Sequence, residues 1–224
     1  MIKWPAVLIL CLTFISSVYS QDSLVFYSGK YYLGELSYED KHHIYFNKIV
    51  ASDKVKLMRL PISTVFSISS KGNQPKFYYQ RNSLASQNFS IDQMSKYIKG
   101  EQDAIEHFNV GYHFLVGLGL GLSVSLLDTY EFKDVNCKGY FNGSASTISI
   151  VTPFLTSVLI GFSNKKVRKA YVSDLDFLNS PHYKRGFNYV KRYRKTLYSF
   201  LGSLTGVATI ISATLIHQNN KPCP

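Results

Sequence analysis

At 224 residues the chain is long enough for one large domain or two small ones, and its 46% hydrophobic and 15% aromatic content excludes global disorder. A formal charge of +11 invites a nucleic-acid reading, but residues 21–108 carry 11 basic and 9 acidic side chains, whereas residues 164–196 carry 10 and 2. A cationic surplus confined to one loop between apolar segments fits a membrane surface better than nucleic acid. The three cysteines, Cys11, Cys137 and Cys223, are too few for a disulfide scaffold, and no Cys and His spacing resembles a zinc site.

Residues 1–20 read as an export signal, with Lys3 ahead of the apolar run Ala6–Ile15 and the small Ser20 before a cleavage point, so that the mature chain begins at Gln21. An uncleaved signal anchor is the alternative. The next segment, 21–82, alternates short β-branched and aromatic runs with polar turns. Strands are expected at 24–27, 31–38, 42–50, 55–60, 64–69 and 77–79. The Ser28-Gly29-Lys30 turn calls for a positive φ at glycine, and Gly34 for a bulge or a sharp bend. So many short, closely connected strands point to a small SH3-like or Sm-like barrel, whose closure removes exposed edges; a meander sheet is the alternative. His42 and His43, neighbours in a strand, point to opposite faces and make a poor metal pair.

Residues 90–108 predict a helix opened by Ser90 and Gln93 in a capping box, with Ile91, Met94, Ile98 and Ile105 near helical spacing and a bend at Gly100. Its three carboxylates within six residues (Glu101, Asp103, Glu106) read as a solvated face. Segment 109–217 then contains three apolar candidate spans, 109–127, 146–163 and 197–216, each near the length that crosses a bilayer, the middle one marginal. Gly117 and Gly121, like Gly202 and Gly206, are four apart and predict close helix packing within the chain or between copies, which leaves homo-oligomerisation open.

Between the last two spans lies the basic loop 164–196. Lys165, Lys166, Arg168 and Lys169 follow one span, and Lys184, Arg185, Lys191, Arg192, Arg194 and Lys195 approach the next. Tyr183, Phe187, Val190 and Leu197 fall on one helical face, which predicts an interfacial helix with its cations among anionic headgroups. With an exported N-terminus and three crossings, this loop stands outside, against the positive-inside rule; two crossings would place it inside.

The strand–Gly-Lys–strand opening from Val25 to Leu36, the run Tyr97-Ile-Lys-Gly-Glu-Gln-Asp-Ala104, the glycine-rich apolar helices, and the set Tyr183, Gly186, Phe187 and Lys191 resemble uncharacterised signal-peptide-bearing envelope proteins of Gram-negative bacteria. That resemblance supports the architecture and transfers no catalytic residue.

The expectation is therefore an α+β membrane protein: a small β-barrel domain, then two or three transmembrane helices, placed in the bacterial inner membrane with the β domain in the periplasm. No catalytic, metal or cofactor residue is identified. The leading function is a non-enzymatic anchor or scaffold of the cell envelope whose β domain binds a protein or glycan partner. An oligomeric transport or channel subunit is the alternative.

Overall fold

The computed structural model describes residues 21–51, 54–70, 73–79, 89–130, 139–141, 143–162 and 167–220. The export signal, Cys137, Cys223, Lys165 and Lys166 lie outside the described residues. The chain divides into two compact units, residues 1–91 and 92–224.

The first unit is a six-stranded antiparallel sheet: β1 (Asp22–Phe26), β2 (Tyr31–Glu39), β3 (His43–Ala51), β4 (Lys54–Pro61), β5 (Val65–Ser69) and β6 (Lys76–Phe77). Four strands form a meander, and β5 returns along the free edge of β1, giving the order β4-β3-β2-β1-β5-β6. The expected turn is present, with Gly29 at φ 72° between β1 and β2. At Gly34 an added Cβ would run into the Asn47 carbonyl, so the absent side chain lets β2 lie close on β3. The bulge in β2 falls between Leu36 and Tyr38 instead.

Leu24, Ile44, Phe46, Leu60, Val65 and Ile68 form one buried cluster. The partly buried side chains packed on it, among them Phe26, Tyr32, Leu36 and Met58, come from this unit as well. A flat sheet cannot enclose one of its own faces, so the strands curve around these residues. The curvature also shows at Glu39, at the end of β2, which accepts bonds from Lys76 Nζ at 2.7 Å and Tyr78 Oη at 2.8 Å although β1 and β5 lie between β2 and β6 in the ladder.

The second unit is helical: α1 (Ile91–His107), α2 (Gly111–Asp128), α3 (Thr147–Phe162) and α4 (Pro181–Asn220). Helix α1 runs unbroken through Gly100, where the glycine serves a close approach. A Cβ there would strike the Tyr183 carbonyl, and a Cβ on Gly186 would strike the Tyr97 carbonyl, so α1 and α4 meet backbone to backbone. Gly117 and Gly121 of α2 face the carbonyls of Ser199 and Ser203 in the same way, while Gly202 and Gly206 face those of Phe114 and Leu118. The four glycines expected to pack helices thus share one seam within the chain.

Register fixes direction. Gly117 beside Ser199 and Gly121 beside Ser203 make α2 parallel to α4. Gly161 beside Thr196, with Phe154 against Phe200 at 5.2 Å between ring centroids, makes α3 antiparallel. The buried face of α4 includes Tyr183, Phe187, Lys191, Lys195, Ser199, Ser203 and Val207, every fourth residue. Because a helix turns about 100° per residue, that stripe winds around the axis by about 40° at each step. One helix can therefore face α1 at its start and α2 further along.

Candidate functional site

Two carboxylates at the α1–α4 junction are drawn out of water. Asp103 is fully buried and Glu101 is 4% exposed, so neither belongs to the solvated face expected of them. Asp103 Oδ2 accepts three bonds: from the Ser173 N–H at 3.0 Å, the Ser173 hydroxyl at 2.9 Å and the Tyr183 hydroxyl at 2.7 Å. Lys99 sets its ammonium 3.3 Å from Oδ1, a charge contact one turn back on the same helix. Burial pushes the Asp103 carboxyl up, but the Ser173 and Tyr183 bonds and the Lys99 charge outweigh it and hold the group below its ordinary value.

Glu101 has the opposite fate. Its Oε2 is buried with no hydrogen-bond partner, and burial pushes the carboxyl up to about 7 against a bond from Tyr97 that favours the charged form. Tyr97 itself is driven upward by burial and by the neighbouring Glu101 charge. The junction thus pairs a clamped carboxylate with a carboxyl that takes up a proton near neutrality. Tyr183 and Phe187, with Ala104, form the buried centre of an adjacent cluster that Val167, Tyr171, Val172, Phe177 and Val190 pack against. The aromatic face expected to meet lipid is here the core between α1, α4 and the 167–179 segment.

The cations divide by role. Arg168, Lys169, Lys184, Arg185 and Arg192 are exposed, whereas Lys191 at 8% and Lys195 at 4% lie on the packed face of α4. Arg194 Nη1 donates to the carbonyls of Ala104 at 2.9 Å and Ile105 at 2.6 Å, closing the C-terminal end of α1. Arg192 stands over the Phe162 ring at 5.1 Å.

Beyond this junction the bundle is inside out. Its interior is mostly small or hydroxylated, with Gly117, Gly121 and Ser125 from α2, Ser149, Thr152, Thr156, Ser157 and Gly161 from α3, and Ser199, Gly202, Ser203, Gly206 and Thr214 from α4, joined by Pro153, Val207 and Ile210. Its exterior carries Leu115, Leu120, Leu127, Ile148, Phe154, Leu155, Leu159, Phe162, Leu204 and Ile216, with Leu159 71% exposed. Several interior hydroxyls return their proton to their own helix, as Thr152 does to the Ile148 carbonyl, Thr156 to Thr152 and Thr214 to Ile210. Helices α2 and α4 are long and apolar enough to cross a membrane; α3, at 16 residues, is apolar but shorter.

Both ends of the bundle carry exposed tyrosines. Tyr112 opens α2, and equal rise in parallel helices sets it near the level of Tyr193 on α4, with Tyr189 a turn further out. At the other end, Tyr140 packs edge-on against Tyr130 at 4.8 Å, and Gln218 reaches the Gly143 carbonyl at 3.5 Å. There Asp128, the last residue of α2, accepts from the Ser146 N–H at 2.8 Å and the Ser146 and Ser149 hydroxyls at 2.6 Å each, tying α2 to the start of α3.

Among the described residues no group of three or more His, Cys, Asp and Glu side chains gathers as metal ligands. Comparison with protein-family models, with curated proteins and with solved structures finds no match to this chain.

Proposed function

We propose that this chain is an integral membrane protein of the cell envelope, anchored by α2, α3 and the apolar half of α4, whose β domain serves as a non-enzymatic interaction module. The inverted bundle carries the reading, because a surface of leucine, isoleucine and phenylalanine around a glycine and hydroxyl interior is stable against acyl chains and unstable against water. The tyrosines at its two ends have the position of interfacial anchors. The hydroxyls of Thr152, Thr156, Ser157, Ser199 and Thr214 bond within their own helices, which favours an anchor over a solute path; those of Ser125 and Ser203 stand without a partner in the interior. For the β domain, the curved meander with β5 on the free edge of β1 and Glu39 bridged from β6 supports an SH3-like small barrel.

The antiparallel course of α3 supports three crossings. Residues 139–146 then lie on one side, and α1, the 167–180 segment and the preceding chain on the other, which an export signal makes the periplasmic side. The cationic excess on that side is accounted for in part by structure, since Lys191 and Lys195 are buried and Arg194 closes α1. The reading is tested in spheroplasts of a strain expressing cysteine-free variants with Lys169→Cys or Tyr140→Cys. The chain should resist alkaline carbonate extraction, and a membrane-impermeant thiol reagent should reach position 169 in intact spheroplasts but position 140 only after lysis. Release by carbonate would overturn the anchor, and labelling of both positions from one side would remove the α3 crossing.

A further inference from the structure

The end of the β3–β4 hairpin carries two features that folding alone does not explain. Lys48 and Lys56 stand directly opposite one another in the ladder, a like-charge pair that weakens a sheet. Lys54 lies on the same face two positions along β4, and the described residues of the two strands hold no carboxylate. Lys48 rests its ammonium 3.8 Å over the Tyr32 ring, while Lys54 and Lys56 stand in solvent. On the reverse face Ile49 and Val55 form the neighbouring cross-strand pair, with Leu57 beyond them. All three are exposed, Val55 by 62%.

Each candidate occupant accounts for a different part of this. A soluble polyanion such as nucleic acid would neutralise the lysines and leave the three apolar side chains in water. A second apolar protein surface would cover those side chains and supply no counter-charge to Lys54 and Lys56. An anionic bilayer supplies both chemistries a few ångströms apart, headgroup phosphate above and acyl chain below. We propose that this end of the β3–β4 hairpin docks on an anionic lipid surface, with Ile49, Val55 and Leu57 entering the acyl boundary and Lys48, Lys54 and Lys56 meeting the phosphates. The inference rests on the membrane-anchored reading, which keeps a bilayer within reach.

The experiment uses the full chain with Cys11, Cys137 and Cys223 replaced by serine, one chain per nanodisc, in phosphatidylcholine alone or with added phosphatidylglycerol. An environment-sensitive fluorophore is placed at Val55→Cys, at Leu57→Cys as a second report on the same face, and at Leu159→Cys on α3. The label at 159 should be shielded from an aqueous quencher in both discs. The labels at 55 and 57 should be shielded only with phosphatidylglycerol, and each of Lys48→Gln, Lys54→Gln and Lys56→Gln should lower the docked-to-free ratio roughly fivefold. Quenching at 55 and 57 in every disc, with 159 shielded, would sink the docking inference and leave the anchor intact. Equal shielding without anionic lipid would also overturn it, as would shielding that needs two chains per disc, which would assign the face to a second copy. Quenching at 159 would remove the anchor and the inference together.

Discussion

Glu101 and Asp103 are two residues apart on α1, and their surroundings drive their protons in opposite directions. For Glu101 the sign is unfavourable to the ionised form: the unfolded carboxyl titrates near 4.5 and the folded one at about 7. Between those values the folded chain holds the extra proton, so stability falls as pH rises through this window and is level above it. The full penalty is about 3 kcal/mol, from the energy equivalent of each pH unit. Thermal unfolding of the whole protein in detergent should show that decline between pH 5 and 8, and Glu101→Gln should flatten it and stabilise the chain at pH 8. An unchanged pH profile in the variant would mean the carboxylate is already relieved by water. Asp103 is the contrary case: bonds from Ser173 and Tyr183 stabilise the charged form, a contribution present above the ordinary carboxyl value and lost as pH falls from there through its lowered value. Neither fate was legible from spacing alone: the carboxylates look like any solvated acidic face until Ser173 and Tyr183, 70 and 80 residues away, are brought alongside.

At the scale of elements, the glycines decide which helices touch. A Cβ on Gly117 meets backbone, which cannot yield, whereas one on Gly119 meets nothing within 4 Å. Gly117→Ala should therefore destabilise the α2–α4 pair by about 1–3 kcal/mol in a denaturant titration in micelles. Gly119→Ala should be neutral or slightly stabilising, by up to about 1 kcal/mol of helix propensity. Equal effects at the two sites would dissolve the seam. The sequence was informative here because small residues at four-residue spacing in an apolar run have few uses other than close packing. Strand positions in the β unit were legible for a similar reason, alternation between turn residues leaving little choice of boundary. The amphipathic pattern from Tyr183 onward was misleading: a helical face of aromatics looks the same whether lipid or another helix covers it, and α1 together with the 167–179 segment covers this one. In the sequence Arg194 is one cation among many, because its partners are carbonyls, which leave no mark there.

On the scale of the whole molecule, the two units rest on different physics. The sheet encloses its own apolar cluster, whereas the helical bundle turns its apolar side chains outward and packs through backbone. The first arrangement gains from water and the second from its absence. A fragment of residues 21–91 should then be soluble without detergent, show a strand-type circular dichroism spectrum and melt cooperatively. A fragment that is insoluble, or is disordered in buffer, would show that the cluster around Phe46 needs the helical unit.

Helix α4 continues for 40 residues, about 60 Å, with its first half beside α1 and its second half in the apolar bundle. A helix hydrogen-bonded without a break is stiff in torsion as well as along its axis. No break in the helix lies between Phe187 and Leu204, so the segment beside α1 and the segment in the bundle share one axis. Mechanically α4 is a single strut, held near its outer end by α1 at Tyr183 and Phe187 and along its inner half by α2 and α3.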